Sequence, residues 1–454
     1  MRRSDAIVVG GGIAGIAAAL RLAEHGVSVT LLESSRRLGG RATSFTDART
    51  GEAIDNCQHV ALGCCTNYRD LCERLGVAHL IAWYRAQHWV EAGGRRSIIT
   101  AGNLPAPLHH AASFLSAKFL SFTEKTAIAR AMARIILARR DDFRAMTFGA
   151  FLQSHDQPTS VVDKFWSPVV VSACNLSVER VSASTALHVF QEGMLANRDS
   201  ATIGIPTVPL ARLYDGAARI IERARGTVRF GVRAESLRPG VVNDSEGRDH
   251  RASAVICALP IEKATRAVFD SHERPDLRLA RASSLETSPI CGVHLSFDRS
   301  VMDVPHAVLV GRPTQWLFAK DPIGRTVHAV ISAADEWMAL SEPEIVSRVV
   351  DDLNACFPSS RGAVIVSARA VKERRATFAP TPGSDALRPS GRALEAHGVT
   401  LAGDYTATGW PATMEGATRS GYAAAASVLG LADDALLAAP LRAGFLSAPF
   451  AASW

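Results

Sequence analysis

Three glycines near the start of the chain have the spacing that suits the diphosphate of a dinucleotide. Gly10, Gly12 and Gly15 follow an apolar strand-like run at 5–9 and precede a helix predicted over 17–22. In such a motif the first glycine allows a sharp turn, and the second lets backbone N–H groups approach the diphosphate. The third lets helix and strand pack closely. Because a helix N-terminus also favours phosphate charge, we predict a nucleotide site here.

An acidic residue and a second pair of glycines follow this motif. A second strand-like run at 27–32 ends on Glu33, where an acid accepts hydrogen bonds from the adenosine ribose hydroxyls. An incidental glycine turn would lack this order of strand, helix, strand and acid. Gly39, Gly40 and Arg41 then continue from the strand, an extension that a nicotinamide dehydrogenase does not need. The alternative for Arg41 is a solvated loop cation.

These residues lie in a chain long enough for two intertwined domains. It has 454 residues, 47% of them hydrophobic, which is ample for a large core. Outside the first unit, the sequence pattern predicts a helix at 67–75, a broken helix across 166–187, strands at 227–234, 252–260 and 399–405, and a second sheet within 265–380.

The extension after Glu33 resembles the FAD-binding signature of the amine oxidase and phytoene desaturase superfamily. In those proteins the glycine pair lets the chain pass close to the flavin diphosphate, and the arginine sits over it. The resemblance implies FAD as the cofactor. The residues that we predict to contact it are Gly10, Gly12, Ile13, Ala14, Gly15, Glu33, Ser34, Gly39, Gly40, Arg41, Gln58, His59, Val232, Gly403, Asp404, Ala412, Thr413 and Met414.

A carboxylate near the C-terminus suits the polar tail of a flavin. Asp404 follows the predicted strand at 399–405, and a polar turn then leads into a helix predicted to start near Thr413. The carboxylate can hold a ribityl hydroxyl, and the positive helix end can stabilise the anionic reduced flavin. The alternative for Asp404 is an ordinary helix cap. Because 401–422 contains no cysteine or histidine, we expect FAD to be bound non-covalently.

Several segments are similar to a narrower family, the bacterial squalene-associated FAD-dependent desaturases, also called hydroxysqualene dehydroxylases. The similar segments are 55–63, 104–108, 166–168, 373–383 and 401–413. The chain departs from the family pattern at three positions: Cys57 replaces an expected glycine, Tyr405 a usual tryptophan and Trp410 a frequent leucine. The resemblance implies removal of the hydroxyl of hydroxysqualene by reduced FAD, which gives squalene.

This reaction needs a proton donor as well as a hydride. An allylic alcohol that loses water leaves a delocalised cation, and flavin N5 can deliver hydride to it. His59 and Asp55 are the candidate donors because their segment leads towards the flavin; His59 could equally be a backbone-anchored residue that touches only FAD. Two other functions stay open: oxidation by a carotenoid-type desaturase or amine oxidase, and flavin binding without turnover.

A basic and apolar stretch at 104–140 is predicted to be helical. It is either a helical cap over a substrate cavity or a surface that contacts a membrane. The isoprenoid hydrocarbon or alcohol that we expect as substrate is compatible with both. The cations of the stretch include Lys118, Lys125, Arg130, Arg134, Arg139 and Arg140.

Composition and charge limit which partners, other than FAD and the substrate, the protein is expected to bind. The net charge of +6 comes without a basic stripe of interleaved aromatics, so we expect no nucleic acid. The eight cysteines show no metal-ligand spacing, and we expect no metal and no disulfide framework. No second glycine motif indicates a nicotinamide domain, so the external reductant stays unidentified. Lacking a targeting or membrane-spanning run, the protein is expected in the cytoplasm, with peripheral contact to the inner face of the cytoplasmic membrane.

Together these patterns predict an α/β protein. The resemblance implies a Rossmann-type FAD-binding domain, of the glutathione-reductase-like and amine oxidase type, interleaved with a substrate domain of mixed sheet and covering helices. We predict the FAD-binding domain at 1–95, 206–262 and 385–435, a helical cap at 96–205, the substrate sheet at 263–384 and a C-terminal tail at 436–454.

Overall fold

The computed structural model describes residues 4–393 and 398–454. The strands are β1 (Ser4–Val9), β2 (Val29–Glu33), β3 (Ser44–Thr46), β4 (Ala53–Asp55), β5 (Ala61–Leu62), β6 (Ile81–Tyr84), β7 (Gln87–Val90), β8 (Arg96–Ile99), β9 (Ile203–Pro206), β10 (Thr227–Phe230), β11 (Ala234–Arg238), β12 (Val241–Asp244), β13 (Asp249–Cys257), β14 (Thr287–Phe297), β15 (His306–Leu309), β16 (Trp316–Ala319), β17 (Thr326–Ser332), β18 (Ile365–Phe378) and β19 (Val399–Leu401).

The α-helices alternate with these strands in part and cluster between β8 and β9. They are α1 (Ile13–Glu24), α2 (Thr66–Arg74), α3 (Ala111–Ser116), α4 (Phe122–Leu137), α5 (Phe148–Ser154), α6 (Thr159–Val161), α7 (Ser167–Cys174), α8 (Ala183–Phe190), α9 (Ala217–Arg223), α10 (Ile261–Ala267), α11 (Leu277–Ala282), α12 (Glu342–Cys356), α13 (Met414–Val428) and α14 (Ala448–Ala451).

The first sheet is the predicted nucleotide-binding sheet. Its parallel strands lie in the order β10, β2, β1, β13 and β19, so segments from the start, middle and end of the chain share it. Val8 pairs with Leu31 on one side and with Ile256 on the other. These residues are apolar because helices cover both faces of the sheet: α1 and α13 pack on one face, α10 and α11 on the other. The prediction of an interleaved α/β fold is confirmed.

The second sheet is mixed and has the order β18, β14, β17, β16, β15, β7 and β8. One face packs on α12 and is apolar, with Val293, Leu295 and Ile331 in its core. The opposite face turns towards the first domain, and there Gly292 of β14 lies against Asn56 and Cys57. β7 and β8 lie on either side of the domain boundary predicted at residue 95, yet both join this sheet through the pairing of β7 with β15. The pairing partner, and not the sequence order, therefore assigns 87–99 to the second sheet.

A helical layer, α3 to α8, covers the second sheet. The helical prediction for 104–140 is confirmed by α3 and α4, and a reciprocal hydrogen-bonded cap between Ser121 and Glu124 starts α4. The predicted break in the helix across 166–187 is also present: it lies at Asn175, which adopts φ 53° between α7 and α8. Within 4–393 and 398–454, no helix is both long and apolar enough to span a bilayer.

Candidate active site

The N-terminus of α1 lies at the glycine motif and is open to an anion. Gly12 occupies the N-cap position, and no described side chain accepts a hydrogen bond from the first-turn N–H groups. A side chain at Gly15 would overlap the Gly10 carbonyl oxygen, so helix and turn pack backbone to backbone. A Cβ atom on Gly40, which has φ 60°, would lie 2.9 Å from the Gly12 Cα atom. Two backbone segments without side chains therefore meet at the helix end, as diphosphate binding requires.

Glu33 stands at the end of β2, beside this motif. Its Oε2 atom accepts a hydrogen bond of 2.6 Å from the Gly11 N–H, and Oε1 accepts one of 2.7 Å from the Ser35 N–H. The Ser34 hydroxyl donates to the same Oε1 atom at 3.3 Å. The backbone N–H of Val232 donates to the Glu33 carbonyl at 3.0 Å. The predicted cofactor contacts Glu33, Ser34 and Val232 thus lie together at the carboxyl ends of β2 and β10.

Arg41 and Asp404 form an ion pair that joins the two ends of the chain. Arg41 Nη2 donates to Asp404 Oδ1 at 2.6 Å, and Arg41 Nη1 donates to the Ala376 carbonyl at 2.8 Å. The Asp404 carboxylate raises the pKa of Arg41 above its ordinary value. Asp404 is buried and is not a helix cap, because Thr413 caps α13 by accepting from the Gly416 N–H at 3.1 Å. Arg41 is therefore ion-paired, although its side chain stays 39% exposed, and Asp404 does not cap α13.

The ion pair borders a cleft of about 230 Å³. The Arg41 loop meets there with two of the family-like segments, 373–383 and 401–413, since Glu373 and Arg375 of β18 and Tyr405 also line its walls. Gly403 N–H donates to the Ser420 hydroxyl oxygen at 2.9 Å, which fixes the turn before Tyr405 to α13.

The segment with the candidate proton donors is fastened to the loop that carries Arg41. Asp55 Oδ1 accepts from the Ser44 hydroxyl at 2.6 Å and from the Leu210 N–H at 2.9 Å. The Asn56 carboxamide donates to the Arg41 carbonyl oxygen. Cys57 is buried, and burial raises the pKa of its thiol to about 12. The side chain at this position finds room because a glycine, Gly292, faces it from β14.

His59 has one ring nitrogen anchored to the backbone. Its Nδ1 atom lies 3.0 Å from the Cys57 carbonyl oxygen, and because a carbonyl can only accept, Nδ1 carries the hydrogen. Burial lowers the pKa of His59 below its ordinary value, so the ring is neutral at pH 7 with Nε2 as an acceptor. This geometry favours the backbone-anchored interpretation, and direct proton donation would require Nε2 to be protonated first. Gln58, beside it, accepts from Lys320 Nζ at 2.8 Å.

The predicted contacts Ala412, Thr413 and Met414 lie where α13 begins. The next residue, Glu415, is almost fully buried and accepts hydrogen bonds from the Asn67 and Tyr68 N–H groups at the N-terminus of α2. Burial raises the pKa of Glu415. The α13 helix also packs backbone against backbone on α1, since a Cβ atom on Gly421 would overlap the Ala14 carbonyl oxygen. The start of α13 is therefore held rigidly against the nucleotide unit.

Sequence reasoning missed a cluster around Trp410. The His188 ring of α8 meets the Trp410 ring edge to face at 4.7 Å, and the Arg419 guanidinium lies 5.8 Å from the same ring. Arg140 Nη1 lies 2.9 Å from His188 Nδ1, and burial lowers the pKa of His188. Since these residues come from four separate segments, the sequence offers no local signal for the cluster. It ties the helical layer to the loop before Thr413.

Comparison with known proteins identifies the family of this chain. The family model described as flavin containing amine oxidoreductase matches residues 13–429.

The chain belongs to the flavin-containing amine oxidoreductase family.

Its relatives include proteins of two activities. The chain is 27% identical over 438 residues to a hydroxysqualene dehydroxylase of Sinorhizobium fredii, covering 92% of this chain and 96% of that protein. It is 25% identical over 493 residues to a zeta-carotene desaturase of Zea mays, covering 94% and 84%. Among solved structures, cyclohexylamine oxidase from Brevibacterium oxydans superimposes with a TM-score of 0.68 at 19% identity, covering 94% and 99%, which shows the shared fold.

As a member of this family, the protein is an FAD-dependent oxidoreductase. The described residues fit that cofactor. An uncapped helix N-terminus with a carboxylate beside it suits a diphosphate and a ribose, and the arginine–aspartate pair offers polar groups of the kind that a ribityl chain can bind. The described part of the chain holds no cluster of three or more histidine, cysteine or acidic side chains arranged for a metal ion.

Proposed function

We propose that this family member reductively removes the hydroxyl of hydroxysqualene to give squalene. The observation that carries the proposal is the placement of the 55–63 segment. Its resemblance to hydroxysqualene dehydroxylases covers the motif apart from Cys57, and Asn56 bonds to the backbone of Arg41, whose guanidinium pairs with Asp404. The similarity to the Sinorhizobium fredii protein over 92% of this chain supports the same activity.

In this proposal FAD is held non-covalently. The first turn of α1 and the glycine pair at 39–40 bind its diphosphate, and Glu33 accepts from the ribose. Asp404 holds a ribityl hydroxyl, while the N-terminus of α13 faces the ring system and favours negative charge there. When bound and reduced, FAD supplies the hydride. Acid or heat precipitation of the pure protein should leave the yellow colour in the supernatant, and colour that stays with the pellet would contradict non-covalent binding.

The protein's own part in the reaction is to supply a proton and to exclude water. Each turnover consumes one alcohol, one proton and one hydride, and it releases one hydrocarbon and one water. The proton converts the hydroxyl into a water leaving group, and the allylic cation then accepts the hydride. Asp55 and His59 are the two predicted donors, and their segment is bonded to the Arg41 loop through Asp55 to Ser44 and through Asn56 to the Arg41 carbonyl oxygen. They are the residues that we assign to proton delivery.

Anaerobic turnover tests the reaction and its direction. Reduced protein mixed with hydroxysqualene should yield squalene while flavin absorbance returns, and the oxidised protein should yield nothing. The His59→Ala variant then separates two roles. Retained FAD with lost turnover would support a role in proton delivery, whereas lost FAD would make His59 a cofactor contact only.

A second candidate is desaturation of an isoprenoid hydrocarbon. It is favoured by the 25% identity to a zeta-carotene desaturase over 94% of this chain. The same anaerobic measurement of flavin absorbance distinguishes desaturation from dehydroxylation. If squalene or phytoene bleaches the oxidised flavin and gains double bonds, desaturation replaces dehydroxylation.

A hydrocarbon substrate also requires access to a membrane, and α4 is our candidate contact. Its buried side packs in the helical layer through Ile128, Ala131 and Ile135. Its acidic residue, Glu124, is buried and bonded to Lys164 at 2.9 Å. The exposed residues of α4 are apolar, basic or neutral and include Phe122, Ala129, Arg130, Ala133, Arg134 and Leu137.

This face suits an anionic bilayer surface, where cations meet lipid headgroups and apolar side chains enter the interface. We expect the protein to float with anionic liposomes at low salt and to be partly released at high salt. Failure to float at any salt concentration would make the α3–α4 region a closed cap only.

A further inference from the structure

A polar cleft between the two domains holds titratable groups that the proposed reaction has not used. It has a volume of about 210 Å³ and lies between the β3–β4 hairpin and the face of the second sheet that turns away from α12. Exposed residues, Thr50 and Glu52, line it on the outside. Asp55, His294 and His328 line it as well, and all three are buried.

The two histidines are paired across neighbouring strands. His294 of β14 and His328 of β17 are register partners, and His294 Nδ1 lies 2.8 Å from His328 Nε2. Each ring therefore uses one nitrogen in a shared hydrogen bond. The other nitrogens, His294 Nε2 and His328 Nδ1, are buried and have no hydrogen-bond partner among the described residues.

Both rings are neutral at pH 7. Burial lowers the pKa of His294 to about 4, although the charge of nearby Asp55 opposes this shift. Burial also lowers the pKa of His328, and the neighbouring His294 adds to the effect. A neutral pair holds two ring hydrogens, one shared between the rings and one on an outer nitrogen, so it can take up a proton at one end and release one at the other.

The cleft also contacts the predicted active-site segment. Asp55 Oδ2 is buried without a partner, although Oδ1 of the same carboxylate has two. Lys320, a further lining residue, donates to the side chain of Gln58, next to His59. An unpaired carboxylate oxygen and two unpaired ring nitrogens thus lie buried along one cleft that borders the 55–59 segment.

We propose that His294 and His328 form a proton relay from this cleft to Asp55. A proton from water in the cleft binds His328 Nδ1, the shared hydrogen moves from His328 Nε2 to His294 Nδ1, and the hydrogen on His294 Nε2 passes through an intervening water to Asp55 Oδ2, since neither of these last two atoms has a direct partner among the described residues. One proton enters and one leaves, so both rings end neutral in their other tautomers. The relay rests on the proposed function, which consumes one proton per turnover.

Single substitutions test the relay during turnover. His328→Ala should lower kcat about tenfold with KM unchanged, since a positioned proton-transfer group contributes about 10²–10⁴-fold and cleft water replaces part of it. Millimolar imidazole should restore the rate, and the solvent deuterium isotope effect on kcat should increase in the variant. The exposed His272→Ala is the matched control and should match wild type in all three measurements. An unchanged kcat, or a loss that imidazole does not restore, would overturn the relay.

Two measurements do not depend on the substrate. In protein labelled with ¹⁵N-histidine, the conservative variant His294→Gln should shift the ring resonances of His328, because the shared hydrogen bond is lost; unshifted resonances would refute the pairing. During photoreduction of bound FAD, an indicator dye should report slower proton uptake in His328→Ala than in wild type, and equal uptake would refute the relay. If wild-type protein takes up protons through the relay but does not convert hydroxysqualene, the proposed function fails and the relay stands.

Discussion

Replacement of Glu33 by alanine should sharply weaken FAD binding. The carboxylate accepts two short hydrogen bonds from the backbone, 2.6 Å from the Gly11 N–H and 2.7 Å from the Ser35 N–H. A hydrogen bond to a charged group contributes about 1.5–3 kcal/mol, and for this half-buried carboxylate the lower value applies. Two such bonds order the glycine loop before any nucleotide arrives, and a third acceptor contact is proposed for the ribose.

Loss of the ribose contact alone corresponds to about tenfold weaker binding, because about 1.4 kcal/mol is one factor of ten. Loss of the ordered loop adds to it, so we expect a total decrease of about ten- to a hundredfold. Glu33→Gln keeps one acceptor oxygen but no charge. Its affinity for FAD should lie between those of wild type and Glu33→Ala.

The assay is flavin occupancy after purification, followed by titration of the apoprotein with FAD by flavin fluorescence. Glu24→Ala is the matched control, because this exposed glutamate lies at the end of α1 in the same unit and pairs with Arg21 and Arg74 at the surface. It should bind FAD as wild type does. Wild-type occupancy in Glu33→Ala would refute the placement of the nucleotide on this edge of the sheet.

Three further substitutions test other parts of the structure. Asp404→Asn leaves the Arg41 guanidinium without its charged partner and should lower FAD affinity about tenfold by the same titration; unchanged affinity would contradict the ribityl assignment. Glu415→Gln places an NH₂ donor against one of the two α2 N–H groups from which Glu415 accepts and should lower the free energy of unfolding in urea by about 1–3 kcal/mol, so an unchanged midpoint would argue against that contact. Arg130→Glu combined with Arg134→Glu should reduce flotation with anionic liposomes severalfold while turnover in detergent stays normal, and undiminished flotation would remove α4 from the membrane contact.

The local elements were predictable because their signals are short-range. The strand, glycine turn, helix and second strand around Gly12 occupy one continuous segment, and a parallel sheet buried on both faces demands the apolar runs at β1 and β2. The break at Asn175 was predictable for the same reason. The helix ends were harder to predict. The α1 helix extends over 13–24 and not only over 17–22, since packing on α13 stabilises its first turn.

What the sequence by itself determined is therefore the class of cofactor site and the interleaved fold. The tertiary structure alone decided which distant residues meet. Arg41 and Asp404 are 363 positions apart, and Glu415 reaches the start of α2 across 347. The histidine pair arises from the register of β14 with β17, and Lys320 reaches Gln58 because two domains face each other. Such contacts depend on how sheets and helices pack against one another, and the residues next to a side chain in the sequence do not indicate that packing.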